Sequence, residues 1–484
     1  MKQNIFLITI LALFVNVSPL FAKDYPAGSF GVVGNSTTLN TRFIQTGIDY
    51  ISTHGGGRLV FNEGVYLSGT IHLKSDVTLQ FDKGATLFGS TNPLDYDRQN
   101  TPFDNGRQTS LALISGLNQQ NIGITGNGII DGQGKELVAN ISAMITKGLI
   151  KDPSAEKPGE DNRPMIIHLY RCEKVSVKNI SLKNAACWVE CYNQCKNVLV
   201  DSIHVDSHSF HNNDGIDIED CINFTLTNSD FITNDDCVCL KSMDPSLSDE
   251  HILIENNTMN RGASAVKLGT ASHGAFRDIK ILNNKTFDNY RSAIALEAVD
   301  GGIIENVLVD NLTATDVGNG IFIRLGERNT KQLSKINNIK ISNVIINIGN
   351  KKGMENGAAP AIVIAGLPGQ FVTDVTLDHI SINTPAGADE SSYKISAKNL
   401  AEVPENPKDY PEYVMFGELP SWGIYIRHAK DIKFSNIDLT CTKKDFRNTI
   451  VLDDAHDCIF NKIKIAGPEA NKKYFSNEST NIKF

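Results

Sequence analysis

Two acidic turns are the feature of this chain best suited to chemistry. His211-Asn212-Asn213-Asp214-Gly215 precedes the run Ile216-Asp217-Ile218, and Thr233-Asn234-Asp235-Asp236 precedes Cys237-Val238-Cys239-Leu240-Lys241. Asp214 lies two residues before Ile216 and Asp236 two before Val238, so the two carboxylates hold equivalent places in successive segments. If those segments are neighbouring parallel strands, about 4.8 Å apart, the two are close enough to share one water. Asp235, one residue earlier, is displaced along the strand and points elsewhere. Cleavage of a glycosidic bond needs such a set: one protonated carboxyl for the leaving oxygen and one ionised carboxylate acting on the opposite face of the sugar. Crowding supplies both states, because three adjacent carboxylates cannot all ionise cheaply and the group whose pKa rises takes the acid role. A single acidic turn reads more simply as an Asx turn. Two stacked in register favour chemistry.

The elements that would hold these turns repeat. From about residue 166 short β-rich runs recur, beginning MIIHLY, WVECYN, GIDIED, CVCLKS, AVKLGT, AIALEA, GIFIRL, AIVIAG, GIYIRH and TIVLDD. With one strand position as marker, Ile216, Val238, Val266, Ile294 and Phe322 are separated by 22, 28, 28 and 28 residues, a coil length. Each coil carries a second run near its end, such as NVLVDSIHV or HILIENNTM, rich in Val and Ile at alternate positions and bounded by Asn, Asp and Gly. No helical pattern long enough for a β-α repeat lies between them, so the expected fold is all-β, a single parallel β-helix whose coils bury their apolar side chains by stacking. Recurrent Asn at the turns suits hydrogen-bonded ladders and left-handed backbone. Residues 58–89 read as the first coils. Before them Thr41 to Ser52, with Phe43, Ile44, Ile48 and Ile51, reads as a short amphipathic helix capping the apolar end. Residues 135–165 and 383–422 break the period, are rich in Pro and charge, and are candidates for walls around a groove.

Residues 1–22 read as a secretory signal: Lys2, an apolar run from Ile5 to Val15, and the small residue Ala22 at a cleavage point. Residues 23–484 would then be one exported β-helix domain, periplasmic or extracellular. No later apolar stretch is long enough to span a membrane. Without residues 1–22 there are 45 Lys and Arg against 55 Asp and Glu, a formal charge of −10. That balance argues against nucleic acid and anionic membranes as partners, and leaves recognition of an acidic glycan to local cations. The nine Cys are scattered and odd in number. Cys187, Cys191 and Cys195 recur every four residues with no matching His cluster, so the Cys read as small buried residues and no metal or other cofactor is expected.

Asn212-Asn213-Asp214-Gly215-Ile216-Asp217 followed by Asp235-Asp236-Cys237-Val238 resembles the paired NTDGxD and DDC signatures of glycoside hydrolase family 28, the polygalacturonases and their relatives. Trp188 and Cys195, in ACWVECYNQCKNV, resemble the preceding coil of that family, and the likeness runs from about residue 30 to residue 465, most specifically over 185–300. The resemblance implies a right-handed parallel β-helix acting on a pectic polysaccharide, rhamnogalacturonan or a related galacturonate-containing glycan. It makes Asp235 the general acid and Asp214 with Asp236 the pair activating water, with inversion at the anomeric carbon. Asn212 falls in the substrate-binding turn, and Asn213 stands where the family has Thr. A monomer acting on a poly- or oligosaccharide is expected.

Two departures follow. The family's Gly-His-Gly run, followed by a strand ending in Gly-Ser, falls on Gly262 to Thr270, with its His replaced by Ala263 if the match is anchored on Gly262 or by Ser264 if it is anchored on Gly269-Thr270; Lys267 and His273 are the candidate substitutes. One coil later the family's Arg-Ile-Lys, which grips a galacturonate carboxylate, aligns with Ala295-Leu296-Glu297. Replacing two cations by a methyl group and a carboxylate predicts repulsion of a uronate there, hence a neutral sugar such as rhamnose on that side of the cut, or a substrate approached from a different direction. Arg324, on the next strand, either salt-bridges Glu297 or supplies the missing cation, and Lys241 is a comparable cation on the acid's own coil. Two rival readings remain, a non-catalytic carbohydrate-binding β-helix and a β-eliminating lyase of similar shape. The acidic trio favours the hydrolase over both, and calcium-free activity separates it from the lyase.

Overall fold

The computed structural model describes residues 23–98, 111–152, 157–328, 332–349, 360–391, 395, 397–468 and 474–484. The signal reading of residues 1–22 lies outside them. The chain winds as a right-handed parallel β-helix with its strands stacked in three ladders. The first ladder runs through Ala112–Leu117, Met165–Tyr170, Glu190–Asn193, Ile216–Glu219, Val238–Ser242, Val266–Ser272, Ser292–Ala298, Asn319–Leu325 and Ile362–Ala365. The other two begin as separate short strands. From Ile303–Val317 onward they merge, single strands of 13 to 21 residues turning the corner between them.

Alternation along the first ladder decides everything that follows. Ile216, Ile218, Val238, Leu240, Val266, Leu268, Ile294 and Leu296 are fully buried in the interior, while Asp217, Cys239, Lys241, Lys267, Ala295 and Glu297 point outward from the same strands. Interior residues of all coils form one apolar core from Tyr25 to Phe460. The expected register Ile216, Val238, Val266, Ile294 is the observed one. At the next coil it slips by one residue: Ile294 pairs with Ile321, and Phe322 pairs with Ala295. Phe322 therefore faces outward, where a second apolar cluster takes it in.

The Asn turns form the expected ladders. Asn223 donates to Asn197 Oδ1 (3.0 Å), Asn338 to Asn306 Oδ1 (2.6 Å) and Asn311 to Asn283 Oδ1 (2.7 Å). All six residues have positive φ, a conformation Asn tolerates better than most side chains. Helix α1 (Thr41–Thr53) caps the N-terminal end with Ile44, Gly47, Ile48 and Ile51 buried. Phe43 is 41% exposed, because it sits about a hundred degrees around the helix from Ile44 and so off the buried stripe. All nine Cys are buried and free.

Both aperiodic stretches build outward. Residues 135–165 contribute most of helix α2 (Gly134–Thr146), which buries Leu137, Val138 and Ile141, and the turn Glu160–Asn162. The segment from Ala397 to Leu419 lays Leu400, Val403, Tyr413, Phe416 and Leu419 on the outward-facing Phe322 and Val363 of the first ladder and on Tyr425 and Val451 of Ser421–Cys441 and Asn448–His456, which continue that ladder.

Candidate active site

Backbone bonds between coils stack the two acidic turns. Gly215 N donates to Asp236 O (2.9 Å), Val189 N to Asp214 O (2.9 Å) and Ala263 N to Asp235 O (3.0 Å). The close approach at Asp235 needs a glycine one coil on: a Cβ on Gly262 would stand 2.5 Å from Cys237 Sγ and 2.7 Å from Asp235 O. Asn213 is fully buried and works within the turn, donating to Ala185 O (3.1 Å) and Cys187 O (2.7 Å) and accepting from Phe210 N (3.1 Å). Asn212, in the left-handed region, accepts from Arg163 Nη2 (2.8 Å). Arg163 also holds Pro158 O, Ala186 O and His211 O, so it ties the first insertion to this turn.

Asp214, Asp235 and Asp236 open into one pocket of about 360 Å³ together with Asn212, Lys241 and Lys267. Carboxylate oxygens of Asp214 and Asp236 lie within 4.8 Å of each other. Lys241 is ion-paired with Asp217, stands 3.7 Å from Asp214 Oδ2, and lies 4.3 Å above the Trp188 ring. Lys267 Nζ is 2.7 Å from Asp236 Oδ2 and 2.7 Å from the Tyr410 hydroxyl. Asp236 Oδ1 accepts from Ser264 N (2.8 Å), and Asp235 Oδ1 accepts from its neighbour's N–H (3.0 Å).

These contacts set the protons. Burial pushes Asp214 well above the usual carboxylate range, helped by the negative charges of Asp217 and Asp235. Asp235 is raised by burial and by Asp236, against the pull of Lys267 and Arg291. Asp236 moves the other way. Burial opposes its ionisation, but Lys267, Arg291 and the Ser264 N–H outweigh it and hold the carboxyl below its ordinary value. The pocket thus combines one carboxyl shifted down with two shifted up from the ordinary value.

Other sequence candidates sit elsewhere. His273 lies on the turn after the Val266–Ser272 strand, its N–H on Ser242 O (2.8 Å), and is not part of the pocket lining. Lys267 does line the pocket, where its ammonium ion-pairs with Asp236 and acts on Asp235 through its charge. Arg324 pairs in register with Glu297, yet among the described residues no ion pair joins them. Arg324 is buried, bonds Gly366 O (2.8 Å) and Glu405 O, and lies 5.0 Å from the Phe416 ring, so it anchors the second insertion. Glu297 is 3% exposed and outside the pocket lining; burial pushes it up to about 8, against Lys267, so at neutral pH it is mostly uncharged. The repulsion expected from Ala295 and Glu297 is therefore removed: burial keeps Glu297 mostly uncharged, and neither residue lines the pocket.

The pocket also contains residues the sequence reading did not single out: Arg291, Tyr410, Glu412, Thr270 and Glu160. For Arg291 a signal existed. It stands three residues before its strand marker, as Asp235 does two coils earlier. Tyr410 and Glu412 arrive on the aperiodic insertion, where no register links sequence position to place.

Comparisons with known proteins point to one family. The chain is 27% identical over 303 residues to an exo-poly-alpha-D-galacturonosidase of Dickeya chrysanthemi, covering 54% of this chain and 50% of that protein. It is 27% identical over 309 residues to a probable polygalacturonase of Vitis vinifera, covering 59% of each. The chain thus spans about half to three-fifths of the length of these curated relatives. A family 28 exopolygalacturonase of Yersinia enterocolitica shares the fold, with a TM-score of 0.69 at 19% identity over 95% of this chain and 78% of that one. Residues 57–402 match the family described as Glycosyl hydrolases family 28, and the chain, with its stacked acidic turns on a parallel β-helix, belongs to that family.

Proposed function

We propose that this protein hydrolyses a galacturonate-containing pectic polysaccharide with inversion at the anomeric carbon. The observation that carries the reading is the gathering of Asp214, Asp235 and Asp236 in one pocket, where burial and Asp236 raise Asp235 while Lys267 and Arg291 lower Asp236. Asp235 donates a proton to the leaving oxygen. Asp236 accepts one from a water it shares with Asp214, on the far side of the sugar. Three cations, Lys241, Lys267 and Arg291, line the pocket, and the names of the relatives point the same way, so a galacturonate sits at the cut. Among the described residues no helix is long and apolar enough to cross a membrane, and the leader-like residues 1–22 support export.

Homogalacturonan and rhamnogalacturonan incubated side by side with the full chain, products sized and the first-formed anomer read by proton NMR, test this reading. Homogalacturonan should be cut faster, with inverted product, and Asp235→Asn should lose about a hundredfold or more of the rate. A retained anomer would make one aspartate a nucleophile and reject the water-sharing pair.

A further inference from the structure

Three cations line the pocket, and two of them are committed to buried partners. The Lys241 side chain is 6% exposed and its partner Asp217 fully buried. The Lys267 side chain is 4% exposed and its partner Asp236 2%. A ligand carboxylate cannot displace these partners without opening the solenoid wall. Arg291 differs in each respect. Its side chain is 23% exposed, and its partner Glu412, 25% exposed, comes from the second insertion and not from the solenoid, at 2.5 Å from Nη2. Its Nε is buried and has no hydrogen-bond partner among the described residues. A guanidinium is a planar fork of donors matched to a carboxylate. Here one arm is held by a side chain that can swing into solvent, and another donor is unused.

We propose that Arg291 is the specificity-determining residue that recognises a uronate carboxylate of the substrate, and that Glu412 holds its place until the substrate exchanges for it. This rests on the pectic reading above. Arg291 takes over the task for which Ala295 and Glu297 are unsuited, from a position two coils beyond Asp235, and its charge reaches both Asp235 and Asp236. Glu412 sets a threshold: a free carboxylate competes for the guanidinium, while a methyl ester, uncharged, does not. Galacturonan is thereby distinguished from its esterified form through an internal competitor.

The test is calorimetric binding of galacturonate oligomers and their methyl esters to the full chain carrying Asp235→Asn, which binds without cutting. Adding Arg291→Gln should weaken the acid oligomer roughly tenfold or more and leave the ester within about twofold. Adding Glu412→Gln should tighten the acid oligomer by roughly threefold or more, with the ester again unchanged. Arg291→Lys, keeping the charge, should recover part of the loss. Equal weakening of acid and ester by Arg291→Gln would overturn the proposal, as would weaker acid binding by Glu412→Gln, which would make Glu412 a prop and not a competitor. If the Asp235→Asn chain binds neither oligomer, the pectic reading fails and this inference with it. If it binds both and Arg291→Gln does not separate them, only the inference fails.

Discussion

Asp235 and Asp236 are consecutive in the chain, yet their surroundings drive them apart. Asp236 points at Lys267 and the Ser264 N–H, while Asp235 has burial and its neighbour's charge against it. The competent form, Asp236 ionised and Asp235 protonated, then exists over a window opening at the lowered value of Asp236 and closing at the raised value of Asp235. Removing the ammonium with Lys267→Met lets the pKa of Asp236 rise, so the acid limb of the kcat/KM profile should move to higher pH by roughly one unit or more. An acid limb that stays put would show that another group sets it. The trio itself was visible in the sequence because a period exposes equivalent positions. The proton assignments were not, because they depend on Lys267, a residue on a neighbouring strand whose target a linear reading could not choose.

At the scale of elements, the second insertion completes the site. Its apolar underside packs on Phe322, Val363, Tyr425 and Val451, and its polar joints run through Glu405, whose carboxylate meets Arg427 (2.6 Å) and His428 (3.1 Å) and whose carbonyl accepts from Arg324. From this base Tyr410 reaches Lys267 and Glu412 reaches Arg291. Phe416, 2% exposed and 5.0 Å from the Arg324 guanidinium, is a buried aromatic anchor of this segment. Truncating it in Phe416→Ala should cost about 3–5 kcal/mol of local packing, enough to undock the segment while the solenoid core stays intact. Limited proteolysis should then cut within residues 397–420 much faster, and kcat/KM should fall roughly tenfold or more because near-rigid placement is lost. Unchanged proteolysis with lost activity would place the role of Phe416 elsewhere. The sequence marked this stretch as a wall by its lack of period, but its contacts needed the outward face of four coils.

For the whole molecule, stability is a sum over stacked coils, each burying its interior row against two neighbours. Leu296 stands in that row, fully buried, on the same strand as the outward Glu297. Leu296→Ala should destabilise by about 2–5 kcal/mol, read as a lower denaturation midpoint. A loss below about 1 kcal/mol would mean that the coils around it collapse to fill the space. The one-residue slip between Ile294 and Ile321 shows how this row governs the rest. Had Phe322 followed the 28-residue spacing, it would enter the core, and the second insertion would lose part of the apolar platform on which it docks.

The sequence alone determined the solenoid, the coil length, the capping helix, the Asn turns and the stacking of two acidic turns, because each is a local pattern repeated in register. Burial and partnership across coils were decided only by the tertiary structure. Glu297 looks like a charge in the groove until burial neutralises it, and Arg324 looks like its partner until Gly366 O and Glu405 O take the guanidinium. Arg291 came within reach of the carboxylates through the stacking of coils 28 residues apart. Tyr410 and Glu412 came there through an insertion whose path no periodicity specifies. Backbone repetition is written along the chain, whereas the charge state of a side chain depends on what the fold sets against it.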